Sequence, residues 1–437
     1  MLGPDGFPDA RVNAFLASPT MRTLAETTNR DYAQCLALWL NFLEVHGRRW
    51  WEATEDDAEE FEFWRLTDPS NESTAGTSTL SKDIAACKKF YSWASRRYAD
   101  VVDVFADVEF PAAKREAAVK WLDPAALQRW RDLGLRGRDV SGRRDRMWRG
   151  RNEQRDVAFV DGLYGTGLRL SEWASVVLPE VPALGSGRSF YTCELADACA
   201  KGGYGHSYWI PRKPLSAVWA YVEGARARVV RQAQADGRYE EIRGLRVVDS
   251  DRSRSSVVMP DGTGGTVARS WDLVRPGLRC KLFRQTSAGL EPLWLWLNED
   301  GMPRDPHGWH HTFDAANRRI AALGLANFTA TAHMVRHSCA LKWFSIGKLI
   351  YAKQLGHLDA DELSDFREQF GDTWSLVATM LGHRRVETTK SVYLAPFRNL
   401  AVEVLLAHAE DFPVEKFMAQ AFAGHPQVIT DPLRRTR

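Results

Sequence analysis

The chain has 437 residues, 44% of them hydrophobic and 26% charged. That describes a globular protein too long for one ordinary core, so more than one domain is expected. No run of about 18 apolar residues is present, which argues against a membrane-spanning helix. Met1-Leu2-Gly3-Pro4-Asp5-Gly6 lacks the basic-then-apolar pattern of a secretory signal, so a cytoplasmic location is expected. The net charge is only +2, but it is unevenly spread: residues 1–115 carry 13 Lys+Arg against 19 Asp+Glu, and the remainder 45 against 37. A basic second part is what a phosphate backbone would attract. The six cysteines form no C-x-x-C pair, which argues against a zinc site or a disulfide framework and for reduced thiols.

Residues 10–50 place Tyr32, Cys35, Leu36, Trp39, Leu40, Phe42 and Leu43 at helical spacing, and one long amphipathic helix is expected there. Thr54 before Glu55-Asp56-Asp57 caps a second helix. Residues 70–79 read as a loop. A third helix over residues 80–98 sets Lys82, Lys88, Lys89 and Arg96 beside Phe90, Tyr91 and Trp93. That mixture suits either a DNA grip or a core stripe flanked by solvated cations. Pro111-Ala112-Ala113-Lys114-Arg115 reads as a linker, dividing a helical domain, 1–115, from a second domain, 116–437.

Beyond the linker, Asp123-Pro124 caps a helix. Arginines crowd residues 129–155, among them Arg143, Arg144, Arg146, Arg149 and Arg151, in a loop that faces DNA or is merely solvated. An apolar helix then runs into Tyr164-Gly165-Thr166-Gly167-Leu168-Arg169, and Ser171-Glu172 opens the next helix. Residues 189–194 and 208–211 flank Lys201-Gly202-Gly203 as a hairpin, followed by helix over 214–234. Residues 240–290 read as strands and loops whose pairing is not apparent. Helices resume over about 305–323 and from Thr331. Residues 400–422 are amphipathic, with Val404, Leu405, Phe412, Phe417 and Phe422 apolar. The fold class expected is mainly α with a small sheet or hairpin in the second domain.

Some polar groups stand out in order: Arg169 in a glycine turn, Lys201 on the hairpin, His333 and Arg336 one helical turn apart, His383 after Leu381-Gly382, and Tyr393. The pair His333 and Arg336 is not distinctive alone, because His46 and Arg49 have the same spacing. As a set, however, the residues suit transfer of a phosphodiester to a protein hydroxyl. Two guanidinium forks bind the non-bridging oxygens bidentately. A tyrosine with a pKa near 10 needs a base or phosphate neutralisation before it attacks. A lysine ammonium can protonate the departing oxygen. Glu172 suits an orienter of Arg169. Lys213 is a rival for Lys201, while His206, His307, His310 and His311 have no matching context.

The motifs resemble the tyrosine recombinase (phage integrase) family. Thr166-Gly167-Leu168-Arg169-Leu170-Ser171-Glu172 is similar to its first arginine box, and His333-Met334-Val335-Arg336-His337 to its second. Leu381-Gly382-His383 with Thr388-Thr389 and Tyr393 is similar to its third, and Lys201 sits where the family keeps its hairpin lysine. The resemblance implies a two-domain, C-shaped clamp on double-stranded DNA, opening with a helical core-binding (SAM-like) domain. It implies cleavage through a 3′-phosphotyrosyl intermediate with no cofactor, metal or ATP, and Tyr393, Arg169, Lys201, His333, Arg336 and His383 as catalytic residues. A homo-tetramer on two DNA sites, an accessory bending or directionality factor and association with the nucleoid are further implications. The 400–422 helix would pack on its own domain or dock in a neighbouring protomer. Two departures stand out: the first domain is acidic, and Arg336 and His383 are 47 positions apart. The long gap reads as an insertion over 358–374, with another insertion near 240–290, and a rival His357 lies within the gap without Thr-Thr or Tyr after it. A type IB topoisomerase and a non-catalytic DNA-binding protein on the same fold are the alternatives.

Overall fold

The computed structural model describes residues 3, 6–24, 26–106, 120–249, 255–261, 264–354, 377–378, 380–382 and 428–433. The chain divides into two compact units, Met1–Glu116 and Ala117–Arg437.

The first unit contains α1 (Ala10–Leu16), α2 (Pro19–Arg22), α3 (Glu26–Val45), α4 (Glu55–Leu66) and α5 (Thr77–Ala94). The single helix expected over 10–50 is thus three helices. Ser18-Pro19 makes the break: the Ser18 hydroxyl accepts from the Met21 N–H at 3.4 Å, and Pro19, with no N–H to lose, starts α2. At α4 the expected cap is a reciprocal box. The Thr54 hydroxyl accepts from the Asp57 N–H, and Asp57 accepts from the Thr54 N–H at 2.7 Å. The core centres on Trp39, whose ring meets Phe42, Phe61, Tyr91 and Phe105. Trp39 Nε1 donates to the Tyr91 hydroxyl at 3.1 Å, which donates to the Trp50 carbonyl at 2.6 Å. The polar ends of these buried rings are therefore satisfied.

The second unit begins with β1 (Trp121–Leu122), α6 (Pro124–Gly134), α7 (Glu153–Thr166) and α8 (Leu170–Ala174). The expected hairpin follows as β2 (Phe190–Leu195) and β3 (His206–Pro211), antiparallel. Next come α9 (Arg212–Tyr221), a π-helical turn over Val222–Arg226, and α10 (Ala227–Ala235). The segment with unassigned pairing supplies β4 (Arg246–Val248), β5 (Ser256–Pro260), β6 (Thr266–Ser270), α11 (Pro276–Arg279), β7 (Leu282–Thr286) and β8 (Gly289–Pro292). Strand β4 runs parallel to β7, β7 antiparallel to β8, and β5 antiparallel to β6. Helices α12 (Gly308–Ala322) and α13 (Ala332–Gln354) follow, and β9 (Val428–Ile429) returns to pair in parallel with β1. The fold is mainly helical with small sheets.

Aromatic packing fixes the frame that carries the site. Trp296 is enclosed by Phe159, Trp173, Tyr221 and Trp309. Its Nε1 donates to the Trp173 carbonyl, and Trp173 Nε1 donates to the Phe159 carbonyl, both at 3.0 Å. Helix α7, which leads into Arg169, is thereby locked to the core through Phe159. Helix α13 is tied to the start of the unit by Ser338, whose hydroxyl accepts from the Leu122 N–H at 2.8 Å. Among the described residues no helix is long and apolar enough to cross a membrane. Cys87, Cys193, Cys199 and Cys339 are buried free thiols.

Candidate active site

Helix α7 ends at Gly167, whose φ of +67° suits a residue without a side chain. A Cβ on Gly167 would also come within 3.0 Å of Leu381 Cδ2 and 3.1 Å of Cys339 Sγ. The reversal after it leaves Arg169 at the N-cap of α8, facing Glu172 three residues on. Glu172 is fully buried. One carboxylate oxygen accepts from the Arg169 N–H and the other from Arg169 Nη1, each at 2.8 Å. The Lys201 N–H also donates to Glu172, at 3.2 Å, and Arg336 Nη1 stands 3.9 Å from it. One buried carboxylate therefore organises residues from three distant stretches of sequence.

On α13, His333 and Arg336 share a face. Arg336 is buried, with Nη2 donating to the Leu381 carbonyl at 2.8 Å and Nη1 donating to the Gly167 carbonyl. Burial, then the charge of Arg169, lowers its pKa to about 10 against the opposing pull of Glu172, so it stays a cation at neutral pH. His333 is exposed, and its ring centroid lies 3.9 Å from that of His337. Desolvation, then Arg336, Arg169 and Lys201, holds its pKa below the ordinary value, which favours the neutral imidazole. For Glu172, burial raises the pKa, but Arg169, Arg336 and the Arg169 hydrogen bonds outweigh it and hold the carboxyl down.

Replacing Glu172 with Gln is expected to lower the unfolding free energy at pH 7 by about 3 kcal/mol, because it leaves the buried Arg336 and the half-buried Arg169 without their counter-charge. The folded-state pKa is depressed, so this contribution is present above the unfolded-state value and fades as pH falls through the folded one. Denaturant titrations of both proteins from pH 7 downward check this. Equal stabilities at pH 7 would contradict it.

The remaining candidates occupy different settings. Lys201 is exposed on the connection between β2 and β3, whereas its rival Lys213 lies on α9. His46, in the other His-Arg pair, donates from Nδ1 to the Phe42 carbonyl at 2.8 Å and packs on the Phe42 ring, and Arg49 lies 3.7 Å from Glu44. No second cation cluster of this kind forms around it among the described residues. His307 and His310 lie at the start of α12. His206, set aside by sequence, sits instead in the cluster, where it feels the charges of Glu172, Arg336, Arg169 and Glu194. His383, Tyr393, His357, Thr388-Thr389 and the stretches 358–374 and 400–422 lie outside the described residues.

The arginine-rich segment is a built loop. Trp148 fills the space that side chains on Gly137 and Gly150 would occupy, a Cβ there falling 2.1 and 2.0 Å from its ring, and the Arg319 guanidinium lies 5.0 Å over it. Asp139 receives the Ser141 and Arg143 N–H groups. This leaves Arg143, Arg144, Arg146 and Arg149 exposed. On α5, Lys82 is exposed while Lys88 and Lys89 are half-buried, and Lys82 and Lys89, seven residues apart, share one side of the helix. Arg96 is exposed, with Nε donating to the Ser92 carbonyl at 2.6 Å.

Residues 15–98 match the family model described as "Phage integrase, N-terminal SAM-like domain". That match covers most of the first unit and makes it similar to a domain of that family. The resemblance to tyrosine recombinases, carried by motifs of the second unit, thus has an independent counterpart in this SAM-like domain. No curated protein matches the chain. Similar solved structures include the XerH site-specific recombinase bound to difH substrate in its pre-cleavage complex, with 13% identity, 86% of this chain and 78% of that chain covered, and a TM-score of 0.42. The Tn1549 transposon integrase in complex with circular intermediate DNA is similar over 82% of this chain and 85% of that chain, with 14% identity and a TM-score of 0.38.

Proposed function

We propose that the protein is a site-specific DNA recombinase that cuts and rejoins double-stranded DNA through a 3′-phosphotyrosyl intermediate, without metal or ATP. The observation that carries this reading is that Arg169, the Lys201 backbone and Arg336 meet at the buried Glu172, with His333 near enough to feel the charges of Arg336, Arg169 and Lys201. The Tyr393 hydroxyl attacks the scissile phosphorus, and the bond from phosphorus to the 5′ oxygen breaks. Arg169 and Arg336 neutralise the charge that grows on the non-bridging oxygens. Lys201 gives its proton to the departing 5′ oxygen, and His333 and His383 hydrogen-bond the phosphate or help move the tyrosine proton. Glu172 holds the arginines in register for this work.

Contacts to the DNA backbone come from the exposed loop arginines Arg143 and Arg144 and, in the SAM-like domain, from Lys82, Lys88, Lys89 and Arg96. The phosphate contacts should show in the salt dependence, about 0.9 in logarithmic slope for each neutralised phosphate. Changing Arg143 and Arg144 to Glu is expected to flatten that slope, and an unchanged slope would take them off the DNA path. Further parts of this reading are a tetramer on two DNA sites, a docking role in trans for the 400–422 segment, and an accessory DNA-bending or directionality factor.

The function is tested by incubating the protein with candidate-site DNA in EDTA and no nucleotide. A covalent protein–DNA adduct and joining of two different duplexes are expected. Relaxation of supercoils without joining would favour topoisomerase action, and DNA binding with no adduct would favour a non-catalytic role.

A further inference from the structure

The turn at Leu381-Gly382 is gripped from two sides. The Leu381 carbonyl accepts from Arg336 Nη2, and the Leu381 side chain occupies the space beside Gly167. On the other side stands His206, which belongs to none of the motifs. A Cβ on Gly382 would lie 2.0 Å from His206 Nε2, 2.1 Å from Cε1 and 2.3 Å from Cδ2. The ring therefore lies directly on the Gly382 backbone, and the φ of +61° there also calls for glycine.

The placement of the ring follows from the hairpin. His206 opens β3 opposite Leu195. Just before it, Gly205 passes so close to the Leu195 carbonyl that a Cβ would lie 2.1 Å from that oxygen, and its N–H donates to Asp197 at 2.5 Å. Among the described residues neither ring nitrogen of His206 has a hydrogen-bond partner. The contact the described residues show for this ring is steric, against the Gly382 backbone.

We propose that His206 is a positioning residue: its ring wedges the Leu381-Gly382 turn so that the Leu381 carbonyl holds the Arg336 guanidinium. This rests on the reading that Arg336 binds the transferred phosphate. The wedge acts as a neutral ring. Protonation would set a further cation beside Arg336 on α13 and Arg169 on α8, with Glu172 and, across the hairpin, Glu194 opposing it. Burial first, and the two arginines after it, hold the His206 pKa down.

A double-mutant cycle on His206→Ala and Gly382→Ala tests the wedge, with single-turnover cleavage of a nicked duplex and DNA affinity measured for the four proteins. Misplacing a phosphate ligand by about an ångström costs on the order of a hundredfold. His206→Ala is expected to slow cleavage roughly ten- to a hundredfold with DNA affinity unchanged within about twofold. Gly382→Ala alone should be slower still, because its methyl meets the ring. In the His206→Ala background the same methyl should cost much less. Wild-type cleavage by His206→Ala, or two losses that simply multiply, overturns the proposal. Thermal unfolding of the same proteins reads the contact without DNA: non-additive shifts in Tm are expected, and additive ones overturn it. An absence of adduct from the wild type would sink the recombinase reading alone, and the unfolding cycle would still decide the wedge.

Discussion

Tyr393→Phe should form no covalent protein–DNA adduct while binding DNA as the wild type does. Phenylalanine keeps the aromatic ring and removes the hydroxyl that the proposed mechanism uses as nucleophile. The loss should be complete, unlike that of a residue that only stabilises the transition state. The variant retains Arg169, Lys201, His333 and Arg336, the proposed phosphate ligands, so the affinity for intact duplex should change by less than about a factor of three. A nicked duplex that traps the cleaved strand makes the comparison direct, since the short product diffuses away and religation cannot hide cleavage. Adduct formed by Tyr393→Phe at the wild-type rate would assign the nucleophile elsewhere.

Arg336→Lys is the second large effect, and its size comes from geometry. The guanidinium spans the Gly167 and Leu381 carbonyls and stands 3.9 Å from Glu172. A lysine ammonium is a point charge at the end of a flexible stem and cannot hold two separated carbonyls in the same fork. Cleavage is expected to fall about a hundredfold to a thousandfold, as for loss of one transition-state donor. Stability should fall by about 1–3 kcal/mol, because a buried carbonyl is left without its donor. Activity within about threefold of the wild type would remove Arg336 from the phosphate site.

Arg169, Glu172, His333 and Arg336 were legible in the sequence because their arrangement is local. A glycine that ends one helix, an N-cap that starts the next and a carboxylate three residues later place Arg169 on Glu172 with no distant information. The hairpin carrying Lys201 was legible for the same reason, from its glycines and flanking aromatics. His206 was not, since the backbone it touches lies 176 positions away and no periodicity links a strand residue to a distant turn. The same applies to residues 240–290, where β4 pairs with β7 and not with a neighbour in sequence. Parallel pairing requires a long connection, which leaves no short-range signature.

The charge count was legible as a total but not in its use. Part of the basic excess of the second unit serves the core: Arg226 pairs with Glu291, Arg279 with Glu180, and Arg155 with Asp156, at 2.7 to 2.8 Å, all three arginines buried. Composition cannot separate these from the exposed Arg143 and Arg144. The acidic balance of the first unit is likewise compatible with a cationic side on α5, because charge is arranged by face and not by sum.

The most direct test of the account is to trap the wild-type protein on a nicked duplex, digest the adduct and locate the modified residue by mass spectrometry. A single nucleotide-bearing peptide is expected, with the 3′ phosphate joined to the oxygen of Tyr393. A phosphate on any other residue, or joined through its 5′ end, would contradict it.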